Sequence, residues 1–209
     1  QREEEQMIYG IHPVMEAVKV GKEMDRIFIL RGARGDGLVQ LKNLLKESGI
    51  LWQEVPIEKL NRFTRKNHQD VVAFISPVDY QPLDQVVPTL FEQGKAPLIL
   101  LLDRITDVRN FGAIARSAEC AGVHAIVIPH RGAATVTSDA IRTSAGALNR
   151  IPVCRVSDLR KAAMFLQESG LLVAAATEKG KEDYFATDFT GPLAIVMGSE
   201  EDGISPEMI

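Results

Sequence analysis

Residues Leu98–Pro129 read LILLLDRITDVRNFGAIARSAECAGVHAIVIP. The apolar run Leu98–Leu102 ends at Asp103, and a polar loop follows with Arg104, Asp107, Arg109 and Asn110. A stretch rich in small residues, Phe111–Ala121, has helical spacing and is closed by Gly122. A second apolar run, Ala125–Ile128, stops at Pro129. Two short apolar runs around one helix predict a β-α-β unit with parallel strands. The polar loop then falls at the carboxyl end of the first strand, where open α/β sheets place ligand sites.

Residue choice in and beyond this stretch narrows the chemistry. Between Leu98 and Arg160 every Lys/Arg position is arginine: 104, 109, 116, 131, 142, 150, 155 and 160. The guanidinium offers a planar fork of donors that suits phosphate and carboxylate, which an ammonium does not. Arg116 is notable because Gly112, Ala113, Ala115 and Ala118 surround it along the helix. Small neighbours let a ligand or a backbone approach closely. A surface arginine laying its stem along the helix is the other reading.

Outward from there, the chain has 209 residues and a net charge of −4. That length accommodates two domains with real cores. The mild acidity argues against indiscriminate nucleic-acid binding, yet a local basic face can still meet RNA phosphates. No apolar run approaches a membrane span. The opening QREEEQ reads as a frayed acidic tail without a signal region, which predicts a cytoplasmic protein. Cys120 and Cys154 lack metal-ligand spacing and read as reduced, mostly buried thiols, so no metal is expected.

Residues 1–77 predict a small α/β domain. Helices are expected at Pro13–Val20, Val39–Glu47 and Ile57–Phe63, and strands at Arg26–Leu30, Leu51–Val55 and Val71–Ile75. Two of its loops are basic, one with Arg31 and Arg34, the other with Arg65 and Lys66 before Asn67-His68-Gln69. Their glycines do not fit a dinucleotide fingerprint. Flexible turns whose cations meet a phosphate backbone, and plain solvated loops, are the two readings. Residues 78–97 hold a short helix candidate, Leu83–Phe91, and prolines at 82, 88 and 97, and read as a linker.

The second domain is expected over 98–209. Beyond the opening unit come a helix at Ser138–Leu148, a strand at Val153–Val156 and a helix capped by Ser157 and ending at Glu168. Further strands at Leu171–Ala176 and Leu193–Met197 end at Thr177 and at Gly198-Ser-Glu200-Glu-Asp-Gly203. The glycine separation mimics a phosphate-binding loop, but Ile204 stands where lysine is needed and the carboxylates between would repel phosphate. Such a loop suits a ligand with donor groups, such as ribose hydroxyls or an amine, or a partner arginine. A simple acidic turn into a helix started by Ser205-Pro206 is the alternative.

Three features occur in order: Asn110-x-Gly112-x-x-x-Arg116, a strand ending in Thr177, and Gly198-x-Glu200-x-x-Gly203. Together they resemble the first two motifs of the SpoU (TrmH) family of RNA ribose 2′-O-methyltransferases in the SPOUT superfamily. Ile8-Tyr9-Gly10-Ile11-His12-Pro13-Val14 and Asn67-His68-Gln69 are similar to parts of the small RNA-binding domain of the large-subunit (23S) rRNA guanosine 2′-O-methyltransferases.

The resemblance implies an amino-terminal RNA-binding domain and a SPOUT-type α/β-knot methyltransferase domain. The latter has a parallel sheet and a carboxy-terminal trefoil knot that is incomplete here, since the family's third motif does not follow before Ile209. It implies S-adenosylmethionine as cofactor, precursor large-subunit rRNA as substrate and a homodimer. Asn110, Arg116 and Glu200 match catalytic positions, and Thr177, Gly198 and Gly203 match cofactor positions. Arg31, Arg34, Arg65, Lys66, Arg109 and Arg142 are the expected RNA contacts. A tRNA ribose methyltransferase, or a non-catalytic RNA-binding or ribosome-assembly protein on the same fold, are the alternatives.

Overall fold

A computed structural model describes residues 7–180 and 183–208, which form two compact units divided between Val78 and Asp79.

In the first unit, strands β1 (Met7–Tyr9), β2 (Met24–Leu30), β3 (Gln53–Val55) and β4 (Val71–Ile75) form one sheet in the order β1-β4-β2-β3. β4 runs antiparallel to both β1 and β2, and β3 runs parallel to β2. The alternation along β2 decides the layers. Ile27 and Ile29 pack with Val14, Val18, Leu41 and Leu45 of helices α1 (Ile11–Lys19) and α2 (Asp36–Glu47). Phe28 points the other way, into a cluster with Phe74 and with Leu60 and Phe63 of helix α3 (Ile57–Phe63). There the Phe28 and Phe63 rings stack at 5.1 Å, with Arg26 over the Phe74 ring and Lys59 over the Phe28 ring. β1 has only three residues, too short to announce itself by periodicity.

This strand arrangement sends the ends of β1, β2 and β3 and the start of β4 to one edge of the sheet. The loops at that edge are 31–35 and 64–70, which carry Arg31, Arg34, Arg65 and Lys66. All four are exposed. The two stretches that carry the family resemblance also meet here: Gln69 Oε1 accepts from the Ile11 N–H at 3.2 Å. Gln69 and Asp70 both adopt positive φ, 47° and 65°. Two consecutive non-glycine residues in that region are strained, and strain of this kind concentrates at functional segments. Buried His68 supports the turn, its Nδ1 accepting from the Asp70 N–H at 3.1 Å.

The second unit holds five strands: β5 (Leu98–Leu102), β6 (Ala125–Pro129), β7 (Val153–Val156), β8 (Leu172–Ala175) and β9 (Leu193–Met197). Their order is β7-β6-β5-β9-β8, and every pairing is parallel. β5, an unbroken apolar run, sits at the centre, as expected for a strand with both faces covered. Ile99 and Leu101 pack in one cluster with Val87 and Leu90 of helix α4 (Leu83–Glu92) and Leu166 of helix α7 (Leu159–Glu168).

Several sequence expectations shift. Residues 79–97, read as part of a linker, belong to the second unit, because α4 buries Leu83, Val87 and Leu90 at helical spacing. Helix α5 runs Val108–Cys120, starting earlier than Phe111 because Asp107 caps it and accepts from the Asn110 N–H at 2.8 Å. Asp158, not Ser157, caps α7. Helix α6 is only Ser138–Thr143, and a separate 3-10 turn covers Ala147–Asn149. Cys120 is exposed, whereas Cys154 is buried and burial pushes its thiol up to about 12. Among the described residues no helix is long and apolar enough to cross a membrane.

Gly112 explains part of the small-residue pattern of α5. A β-carbon there would lie 2.7 Å from Thr143 Cβ and 2.9 Å from the Ala140 carbonyl oxygen. The glycine admits α6, not a ligand. Gly112→Ala should therefore destabilise the protein by about 1–3 kcal/mol, as overpacking does. Thermal unfolding checks this; an unchanged midpoint would show that α6 moves aside freely.

Candidate active site at the carboxyl edge of the parallel sheet

In the second unit the strand order places β5 beside β9, while the chain leaves β5 toward β6 and reaches β9 from β8. Their carboxyl ends therefore flank a topological switch point, the favoured ligand position in open α/β sheets. Two loops leave this point, 103–107 after β5 and 198–205 after β9.

The second loop is a tight hairpin. Ser199 and Gly203 exchange backbone hydrogen bonds of 3.1 and 2.9 Å, and Ser199 Oγ accepts from the Asp202 N–H at 3.1 Å. Gly203 turns the chain at φ 66°. Gly198 lies against the returning strand so closely that a β-carbon would stand 2.0 Å from the Gly203 carbonyl carbon. The exposed tip presents Glu200, Glu201 and Asp202.

The first loop grips the second. The Asp103 N–H continues the β5–β9 ladder to Met197 O at 2.8 Å, and buried Asp103 Oδ2 accepts from the Ser205 N–H at 2.6 Å. Arg104 Nη2 donates to the Gly203 carbonyl at 3.0 Å. In the first turn of α5, Asn110 Nδ2 donates to Glu200 Oε1 at 3.4 Å. Asn110 and Glu200 are 90 residues apart in sequence and meet across the two loops.

Beside this contact lies an open cleft of about 470 Å³. One wall is Ala176, Glu178 and Lys179 after β8; the other is Met197, Gly198 and the 199–203 loop. Thr177 does not line it, since its hydroxyl accepts from the Lys179 N–H at 3.2 Å. Four carboxylates, Glu178, Glu200, Glu201 and Asp202, and a half-exposed Met197 side chain can together hold a ligand that has hydroxyls, an amine and a positive centre. The same acidic wall disfavours a free phosphate.

The cationic candidates lie elsewhere. Arg116 is six residues beyond Asn110, about 9 Å along the helix. It is exposed and has no hydrogen bond or ion pair among the described residues. Arg109 is likewise exposed, about two turns toward the helix start, and shares a helix face with Arg116. Arg142 pairs with Asp139 on α6. The structure thus joins Asn110 to Glu200 and Gly198 to Gly203, and leaves Arg116 apart from both.

Asp103 and Arg104 are the residues that sequence reasoning missed. Asp103 was visible as the polar stop of an apolar run, but nothing local links it to Ser205.

The profile of the SpoU rRNA Methylase family matches residues 97–209. The chain belongs to that family. A second profile, RNA 2′-O ribose methyltransferase substrate binding, matches residues 7–81. A TrmH-family tRNA/rRNA methyltransferase of Staphylococcus haemolyticus is 34% identical over 202 residues, covering 97% of this chain and 81% of that protein. Its Bacillus subtilis counterpart YacO is 33% identical over 197 residues, 94% of this chain and 79% of the relative. Among solved structures, the AdoMet-bound rRNA methyltransferase of Sinorhizobium meliloti superposes with a TM-score of 0.55 at 25% identity, over 97% of this chain and 74% of the other. The SPOUT-type mixed α/β architecture and membership of an RNA methyltransferase family follow.

Proposed function

We propose that this protein transfers a methyl group from S-adenosylmethionine to a ribose 2′-hydroxyl of RNA, at a guanosine of large-subunit rRNA. The observation that supports the reading most is the Asn110–Glu200 contact at the mouth of an acidic cleft, at the sheet's switch point. S-adenosylmethionine, when bound, supplies an electrophilic sulfonium methyl. The cleft's lining fits it: carboxylates for ribose hydroxyls and the amine, and the backbone at Gly198 for the base, with Gly203 closing the loop that frames it. Thr177, turned into its own backbone, supports the wall that holds the cofactor.

A ribose 2′-hydroxyl is a weak nucleophile and must be oriented and relieved of its proton. Asn110 and Glu200 order the mouth of the cleft where that hydroxyl would enter. Arg116 holds the target phosphate and stabilises the developing alkoxide. Arg109 and Arg142 extend the cationic surface for RNA. Because Arg116 stands apart from Asn110 and Glu200 of its own chain, the site is completed in a homodimer by the partner's helix.

The test is transfer from methyl-labelled S-adenosylmethionine to deproteinised 23S rRNA, 16S rRNA and bulk tRNA, with the product mapped by resistance of the 2′-O-methylated linkage to alkali. Label at a 23S guanosine is the expected result. Label in tRNA alone would reassign the substrate, and RNA binding without transfer would replace the enzyme reading by the non-catalytic one.

The first unit supplies RNA affinity in this reading, through the basic edge that gathers Arg31, Arg34, Arg65 and Lys66. Replacing all four with alanine should weaken rRNA binding and reduce the slope of log K against log salt by about 3, as loss of four phosphate contacts does. Filter binding over a salt series measures it. An unchanged slope would move the interface to another face.

A further inference from the structure

We propose that Arg104 is a positioning residue: its guanidinium holds the 199–203 loop closed against the end of β5, forming the cofactor cleft before a ligand arrives. This deepens the reading of the cleft as an S-adenosylmethionine site.

Three observations converge on it. Arg104 Nη2 donates to the Gly203 carbonyl at 3.0 Å and reaches the Asp202 carbonyl at 3.5 Å. The Gly203 carbonyl is the group that closes the hairpin by accepting from Ser199, so the guanidinium fastens the hairpin at its neck. Arg104 Nη1 also lies 3.6 Å from Asp202 Oδ2. Among the described residues, it is the cation in ion-pair contact with the Glu200-Glu201-Asp202 triad, whose like charges otherwise push the tip open. Finally, Arg104 itself is held at φ 60°, a backbone region unfavourable to a residue with a β-carbon. A residue free to relax would not stay there; the contacts to 202 and 203 keep it in place.

The neighbouring residues make the grip two-sided. Asp103 holds the Ser205 N–H, and Ile204 between the two anchor points is buried in the core. Residues 203–205 are thus fixed to the sheet, and Arg104 decides whether 199–202 follow them.

Arg104→Gly separates side chain from backbone, because glycine accepts positive φ without cost. In the full-length ligand-free protein, amide hydrogen exchange at Asp202 and Gly203 should quicken roughly tenfold, the size expected for losing charge-assisted hydrogen bonds. The S-adenosylmethionine Kd by calorimetry should weaken by a similar factor, about tenfold, with no fall in melting temperature. Turnover at saturating cofactor should be unchanged, so the effect appears in KM and not in kcat. Arg104→Lys should restore neither readout, since one ammonium cannot span two carbonyls and a carboxylate. Wild-type exchange and affinity in the glycine variant would overturn the role of Arg104. Failure of the wild-type protein to bind S-adenosylmethionine would overturn the reading of the cleft, and the exchange measurement would still decide the clamp.

Discussion

Gly198→Ala should weaken S-adenosylmethionine binding by more than about a hundredfold while leaving the protein folded, a loss near 2.7 kcal/mol on the affinity scale. The reason is spatial. A β-carbon at Gly198 would lie 2.0 Å from the Gly203 carbonyl carbon, 2.1 Å from its oxygen and 2.3 Å from the Ile204 nitrogen. All three are backbone atoms, so no side-chain rotation relieves the overlap, and the hairpin must lift away from β9. Lifting it breaks the Ser199–Gly203 pair and withdraws the Gly203 carbonyl from Arg104. Gly203 provides the contrast. It needs glycine for its φ of 66°, but a β-carbon there meets nothing within 4 Å. Gly203→Ala should therefore cost only about 1 kcal/mol of backbone strain and reduce affinity far less. Calorimetry on both variants, with far-UV circular dichroism to confirm folding, measures the difference. Comparable affinities for the two alanine variants would show that Gly198 is kept for some reason other than contact with the returning loop.

Sheet and site were legible in the sequence to different degrees, and for physical reasons. β5, β6 and β9 were readable because a strand covered on both faces becomes an unbroken apolar run. The basic edge of the first unit was readable only as two separate loops; their meeting depends on β4 running against both its neighbours. The stretch 79–97 misled because its prolines suggest a connection. Pro82 instead precedes the first residue of α4, a position compatible with helix initiation, and Pro88 is tolerated inside it because Leu83, Val87 and Leu90 are buried. The expected long helix over 138–148 breaks because the Ser144 hydroxyl turns back to the Ile141 carbonyl, and Ala145 and Gly146 then take positive φ. The motifs located the halves of the site, since Asn110 and Glu200 were both marked. The tethers were not legible at all. Asp103–Ser205 and Arg104–Gly203 join residues about a hundred positions apart, at sequence separations of 102 and 99, and only the parallel pairing of β5 with β9 brings them together.

Arg116→Ala should cut methyl transfer by roughly a hundredfold or more, the usual consequence of removing a charge that stabilises a developing oxyanion. Cofactor affinity should stay at the wild-type value, because the cleft wall is built from Ala176, Glu178, Lys179 and residues 197–203, and Arg116 is not among them. Melting should be unaffected as well. Arg116 is exposed, and the packing of its helix rests on Phe111, Gly112, Ala115 and Ala118. The absence of any protein partner for its guanidinium among the described residues supports the reading. Arg150 nearby is tied to Glu119, and Arg142 to Asp139, so those cations already have carboxylates to satisfy them. Arg116→Lys should fail to rescue, since a single ammonium cannot engage phosphate and ribose with the planar fork of a guanidinium. The homodimeric arrangement adds a sharper check. Mixing Arg116→Ala protein with Glu200→Gln protein, each inactive alone, should regenerate part of the activity if one chain's Arg116 serves its partner's Glu200. Single-turnover transfer beside cofactor titration separates the outcomes. Near-normal transfer by the alanine variant would remove Arg116 from the chemistry, and lost cofactor binding would make it a structural residue. Inactivity that mixing does not relieve would place both groups in the same chain's site.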